Sequence, residues 1–281
     1  MHPLLKLILK GARIVGLFML ASHMTIVFLF SGLLCNLLQF IIYVTLYNRN
    51  RKLYRKLNYY LIYFSWSQIL AVYEWRSNSN CKLYGDEESI REFGKEHCII
   101  VMNHKYDIDW VVCWFITNYL KMLANSKTCA KKQLRNVPVI GWGWIFAEMI
   151  FLERNWGKDK LVMVPYVYNI QLGFPESDKK PTFSNLLRGY SFSADMFLER
   201  IPLTDVPTDS DEATSKWLHD LYQKKDKLMD DYLKTQKFPG KCVEVKRSYR
   251  SLINSVFWAI FIGGTFFLHQ LCPQFLSFYS Q

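Results

Sequence analysis

The chain has 281 residues, of which 51% are hydrophobic and 16% aromatic, yet its formal charge is +11. A basic protein this apolar seeks a phosphate-bearing partner at a membrane rather than nucleic acid, because its apolar segments already bring it to a phosphate-rich surface. The seven cysteines form no C-x-x-C pair and no zinc-type spacing, and their even scatter predicts reduced structural thiols in a domain facing the cytosol.

Residues 14–47 contain no Asp, Glu, Lys or Arg, and neither do residues 251–281; each stretch is longer than the ~20 residues that cross a bilayer. The first is too long for the apolar core of a signal peptide and lacks a small-residue cleavage site, so it is expected to be retained. Either a tilted helix or a span followed by an interfacial segment accommodates its length, with Gly32 as a candidate bend. Lys6, Lys10 and Arg13 precede it, whereas Arg49, Arg51, Lys52, Arg55 and Lys56 follow. That excess puts the downstream side in the cytosol. Lys241, Lys246, Arg247 and Arg250 before the second run give the same orientation.

Residues 52–75 read as a helix with Leu53, Leu57, Leu61 and Phe64 on one face and many amphipathic aromatics, the composition of a helix lying in the headgroup layer. A strand at 82–84 and an acidic helix at 86–93 come next. Residues 98–102 form a short β-type run that delivers Asn103 and His104 at its end, with Asp109 five residues after the histidine and an apolar helix at 111–120. A histidine can take a proton near neutral pH, and a carboxylate can hold its ring in one tautomer and stabilise its charge. Taken alone, such a spacing arises easily by chance, and a capped helix start with a hydrogen-bonded histidine is the more common reason for it. His104, Asp107 and Asp109 also offer a metal-hydrolase alternative, disfavoured because the neighbouring blocks add no further histidine.

Lys127, Lys131, Lys132 and Arg135 precede the turn residues Pro138 and Gly141, and such a run either meets phosphate or is a solvated face. Residues 149–156 read as a second apolar strand ending in a charged tip with Arg154. Alternation marks strands at 167–174, through Tyr168, Ile170, Leu172 and Phe174, and at 192–200. Residues 201–207 form a rigid turn. Asp209 with Glu212 is the expected cap of a helix running to about Leu233, with Trp217, Leu218, Leu221, Leu228, Met229 and Tyr232 on its docking face and Lys and Asp opposite. That helix is assigned no catalytic part. The expected organisation is an N-terminal membrane helix (1–47), an interfacial helix (48–80), a cytosolic domain (81–240) and a C-terminal membrane segment (241–281).

Four ordered blocks then carry a resemblance. They are Asn103-His104 to Asp109, the run Lys-Lys-Gln-Leu-Arg-Asn-Val-Pro-Val-Ile-Gly-Trp at 131–142, Phe-Leu-Glu-Arg-Asn-Trp at 151–156, and Ile-Pro-Leu-Thr-Asp-Val-Pro at 201–207. Together with the 216–226 helix, they make nearly the whole chain similar to the 1-acylglycerol-3-phosphate acyltransferases of the animal, multi-span type. The resemblance implies an α/β, membrane-associated glycerolipid acyltransferase-like domain with hydrophobic helices at both ends, on the endoplasmic reticulum. It implies acyl transfer from acyl-coenzyme A, a co-substrate with no cofactor, to lysophosphatidic acid. It casts His104 as base, Asp109 as its orienting partner, and Asn103, Lys131 and Arg154 as substrate contacts.

One departure stands out. The family's Glu-Gly-Thr-Arg block, which contacts the acceptor's phosphate, has no counterpart: no Glu-Gly dipeptide occurs, and the lone Gly-Thr is Gly264-Thr265 in the C-terminal apolar run. A segment looks excised after Trp156, near Gly157 to Lys160. Weak or absent activity is therefore expected, and the alternative is an inactive relative that binds lipid or pairs with a full-length form.

Overall fold

A computed structural model describes residues 3–152 and 166–278 of the chain. Its α-helices are α1 (Pro3–Leu46), α2 (Arg51–Ala71), α3 (Glu87–Glu92), α4 (Asp109–Tyr119), α5 (Ile140–Phe146), α6 (Phe183–Leu187), α7 (Asp211–Thr235) and α8 (Tyr249–Phe278). Its strands are β1 (Asn80–Gly85), β2 (Cys98–Met102), β3 (Cys129–Lys131), β4 (Ile150–Leu152), β5 (Tyr166–Gly173), β6 (Ser193–Pro202) and β7 (Lys241–Glu244). The expected α/β class holds. The chain divides into two compact units, one from Met1–Ala71, Ala124–Asp159 and Tyr249–Gln281, the other from Val72–Leu123 and Lys160–Ser248. Residues 124–152, grouped by sequence with the cytosolic domain, thus cluster with the apolar helices.

The first unit is helical. Helix α1 is continuous over 44 residues, about 66 Å at 1.5 Å per residue, more than twice the thickness of a hydrocarbon core. Its Ile14–Leu46 stretch is, among the described residues, the one helix long and apolar enough to cross a membrane. Gly32 does not bend it. A side chain there would run into Val139, so the glycine lets the segment before α5 pack close. Asn36 Nδ2 donates to the carbonyl of Val139 at 2.9 Å. Val139 itself has φ +66° and ψ −62°, a strained conformation for a β-branched residue, and Ile140 N closes the tight turn onto Pro138 O at 2.8 Å.

Helices α1 and α2 meet through polar side chains. Gln39 Nε2 donates to Asn58 Oδ1 and Gln68 Nε2 to Ser31 Oγ, both at 2.7 Å. The buried stripe of α2 is Tyr54, Asn58, Ile62 and Trp66, whereas Leu53, Leu57 and Phe64, the apolar face read from sequence, point outward. Helix α8 joins through Asn254 Nδ2, which reaches Phe64 O and Ser67 Oγ at 2.8 Å. Side chains from residue 265 onward lie outside the described ones, and with them much of the run expected to form a second membrane segment. Strands β3 and β4 make a two-stranded parallel ladder in this unit.

The second unit is a five-stranded mixed sheet in the order β2-β5-β6-β1-β7. The β2–β5 and β1–β6 pairs are parallel; β5–β6 and β1–β7 are antiparallel. Strand β2 therefore has one hydrogen-bonded neighbour among the described residues. One face of the sheet carries Met102, Tyr168, Ile170, Met196 and Leu198, and is reached by Cys113 of α4 and by Phe93. Helix α7 covers the other face. Its cap is Ser210 rather than Asp209, the hydroxyl Oγ accepting from Ala213 N at 3.1 Å, while Asp211 and Glu212 occupy its first turn. Because both faces are covered, Asn169 and Gln171 of β5 are buried alongside the expected Tyr168, Ile170 and Leu172.

Candidate active site

Strand β2 carries the chain to the site. Its ladder with β5 ends at the Met102–Ile170 pair. Asn103 then prolongs the pairing with its side chain: Nδ2 donates to Leu172 O at 2.9 Å, and Oδ1 accepts from Leu172 N at 2.7 Å. Both ends of this amide engage the main chain of β5, fixing the residue immediately before His104.

His104 leaves the sheet edge and turns back on α4. Its Nδ1 lies 3.0 Å from Asp109 Oδ2. Asp109 is the first residue of α4 and is 1% exposed. The same oxygen accepts from Lys105 N at 2.6 Å and Tyr106 N at 2.8 Å. Two main-chain donors thus lock the carboxylate in the turn that presents the histidine, and charge-assisted bonds of this kind are strong. The His104 side chain is 67% exposed. With Nδ1–H directed at the carboxylate, Nε2 is the basic nitrogen and is open to a substrate. The arrangement can withdraw a proton from an incoming hydroxyl and stabilise the imidazolium that results.

Asp107 takes a different direction, accepting from Phe183 N at 3.4 Å. Among the described residues no three His, Cys, Asp or Glu side chains are grouped as a metal site. A cleft of about 570 Å³ opens beside Tyr106, walled by Phe174, Phe192 and Leu233, with Lys179 and Lys180 among its lining residues. Sequence reasoning did not single out those lysines; a pair of cations between Pro175 and Pro181 was the available signal.

Lys131 belongs to the first unit, exposed at the end of β3 and followed by the 3₁₀ turn Lys132–Asn136. Gly141 explains the close turn of this block, since a side chain there would strike the carbonyl oxygens of Leu134 and Arg135. Arg154, the other expected substrate contact, and the expected excision after Trp156 lie outside the described residues.

The base of β2 is held by an ion-pair cluster. Arg200 Nε and Nη2 donate to the two oxygens of Glu96 at 2.7 and 3.0 Å, Arg200 Nη1 meets Glu88 at 3.0 Å, and Tyr168 OH donates to Glu96 at 2.8 Å. The Arg200 side chain holds the Glu96 carboxyl below the usual range. Sequence reasoning also missed Lys225 of α7, which is 2% exposed. The signal was its spacing: it stands four residues after Leu221 and four before Met229, on the docking face.

Residues 81–175 match the family model described as Acyltransferase, and residues 185–258 the one described as Acyltransferase C-terminus. The chain is 32% identical over 307 residues to 1-acyl-sn-glycerol-3-phosphate acyltransferase delta of Mus musculus, covering 86% of this chain and 80% of that relative. It is 30% identical over 316 residues to 1-acyl-sn-glycerol-3-phosphate acyltransferase gamma of Pongo abelii, covering 89% and 83%. No solved structure matches the chain. The aligned stretches of 307 and 316 positions are longer than the 281-residue chain, so they include positions at which it carries no residue.

Proposed function

Because the chain belongs to the 1-acyl-sn-glycerol-3-phosphate acyltransferase family, we propose that it transfers a fatty acyl group from acyl-coenzyme A to the free hydroxyl of lysophosphatidic acid, giving phosphatidic acid. The observation that carries this reading is the His104–Asp109 pair, with a locked carboxylate and an outward imidazole. The donor is already an activated thioester, so no covalent nucleophile is needed. His104 Nε2 takes the proton of the acceptor hydroxyl while its oxygen attacks the thioester carbonyl. The new C–O bond forms, the C–S bond breaks, and the imidazolium returns the proton to the departing coenzyme A sulfur. Asp109 keeps Nδ1–H oriented and offsets the charge in between.

In this reading Asn103 aims the histidine rather than gripping substrate, since both ends of its amide are engaged by β5. Lys179 and Lys180 at the cleft, with Lys131 and Arg154 as the resemblance implies, supply cations for substrate phosphates.

The proposed setting is a membrane. A helix pair with hydrogen-bonded polar groups between its helices and exposed Leu33, Leu37, Ile41, Leu53, Leu57 and Phe64 outside is inverted relative to a water-soluble hairpin, and suits lipid. The excess of cations after α1 favours a cytosolic α/β unit. A second membrane segment in α8 and residence in the endoplasmic reticulum follow from the resemblance.

A second reading, an inactive relative that binds lipid, is favoured by two observations: the chain has no Glu-Gly-Thr-Arg block, and it is shorter than its aligned stretches. Acyl transfer from labelled acyl-coenzyme A to lysophosphatidic acid, in membranes whose host acyltransferase is disabled, separates the two. Product that disappears in His104→Ala supports the enzyme. No product from correctly inserted wild-type chain, with phosphatidic acid still bound, supports the inactive relative.

A further inference from the structure

Lys225 is a buried ammonium without an ion-pair partner. Its Nζ donates to Asn169 Oδ1 at 2.9 Å, to Ile170 O at 2.6 Å and to Val101 O at 3.2 Å. None of the three acceptors is a carboxylate, and among the described residues no carboxylate lies within ion-pair distance of it. Removing a charge from water costs several kcal/mol even after relaxation, and a methionine of similar length would fill the same space without that cost. The ammonium does something an apolar chain cannot: a single atom joins β2, through Val101, to β5, through Ile170 and Asn169. Asn169 Nδ2 continues the connection to Glu199 Oε2 on β6 at 3.0 Å.

The position of this junction matters. Val101 stands three residues before His104 on a strand with one hydrogen-bonded neighbour among the described residues. Asn103 makes the second clasp, onto Leu172. The two clasps bracket the end of β2 from both sides of Met102. General-base catalysis needs the ring held within about 0.5 Å of its productive place, and ladder bonds to β5 alone leave the end of a strand free to fray.

We propose that Lys225 is a positioning residue for His104, acting from α7 by tying the end of β2 to β5. This rests on the acyl-transfer reading for its kinetic arm and stands apart from it for its structural arm.

The test uses the full chain in membranes, as wild type, Lys225→Met and Lys225→Arg. Transfer kinetics are measured together with amide hydrogen exchange over residues 99–106, and over 80–85 as a control. In Lys225→Met, kcat falls by roughly tenfold or more with KM within about twofold, a loss specific to the reacting geometry. Exchange accelerates over 99–106 and not over 80–85, and Lys225→Arg, which keeps the donors, recovers part of the rate. Wild-type kcat and wild-type exchange in Lys225→Met would overturn the proposal. So would accelerated exchange over both regions, which marks a general packing role. If the wild-type chain transfers no acyl group, the function reading fails and exchange alone decides: acceleration confined to 99–106 upholds the brace, and no change removes it.

Discussion

At the scale of single residues, the proposed mechanism separates groups that act from groups that aim. Asp109 does both, since one oxygen holds His104 and also closes the turn through Lys105 N and Tyr106 N. In Asp109→Asn the amide oxygen can take the place of Oδ2, where the ring and both main-chain donors converge, so the contacts remain while the charge that offsets the imidazolium is lost. Transfer is expected to fall by about 10²–10⁴-fold with little change in melting temperature. Asp109→Ala should lose the rate and also about 1–3 kcal/mol of stability, because two part-buried main-chain N–H groups lose their acceptor. Equal melting losses in both variants would show the carboxylate to be merely structural. Lys225 makes a separate prediction from its pKa. Burial lowers it to about 8 from 10.5, against the opposing pull of Glu199 and Asp226. Between those values the unfolded chain binds more protons than the folded one, so stability rises with pH relative to Lys225→Met. Melting curves of the two proteins between pH 7.5 and 10.5 should diverge in favour of wild type by up to about 3 kcal/mol. Parallel curves would contradict the depressed pKa.

At the scale of elements, what could be read and what could not divide along one physical line. Strand β2 and the start of α4 were legible because a run of β-formers stops at polar residues and local periodicity carries the signal. Leu53, Leu57 and Phe64, read from sequence as the apolar face of α2, point outward, while the buried stripe of Tyr54, Asn58, Ile62 and Trp66 was not read, because amphipathicity reports which side differs from the other, not which surroundings each side meets. Lys225 and the buried Asn169 were hidden by the same limit: charge and polarity argue for exposure until another element supplies acceptors. Gly32 was read as a bend and is a close-packing position, and Gly141 serves the neighbouring turn in the same way. Gly141→Ala is expected to cost about 1–3 kcal/mol, since main-chain carbonyls cannot move aside as flexible side chains do. An unchanged melting temperature for that variant would show the 131–142 block to be more pliant than its contacts indicate. The ion-pair cluster at the base of β2 gives a complementary check. Glu96 is held below its ordinary range by Arg200, so its contribution is present above the unfolded carboxylate's pKa and lost as pH falls through the lower folded value. Arg200→Met should abolish that acid-side loss.

At the scale of the whole molecule, the chain passes between its two units several times. The resemblance expects a phosphate-binding segment after Trp156, where the chain continues through Gly157 to Lys160 into Leu161. The described residues still form a five-stranded sheet with the His104–Asp109 pair assembled, so the pair needs no Glu-Gly-Thr-Arg block to form. Acceptor affinity is another matter. A lost charge-assisted phosphate contact costs about 1.5–3 kcal/mol, roughly 10- to 150-fold in binding. Grafting the corresponding segment of the mouse relative between Trp156 and Leu161 should therefore lower KM for lysophosphatidic acid by at least about tenfold, while KM for acyl-coenzyme A moves little. A graft that leaves the acceptor's KM unchanged would mean that other cations, Lys179 and Lys180 foremost, already hold the phosphate. Lys179→Ala with Lys180→Ala in the ungrafted chain should then raise that KM alone, because neither residue engages His104, Asp109 or the two clasps on β2.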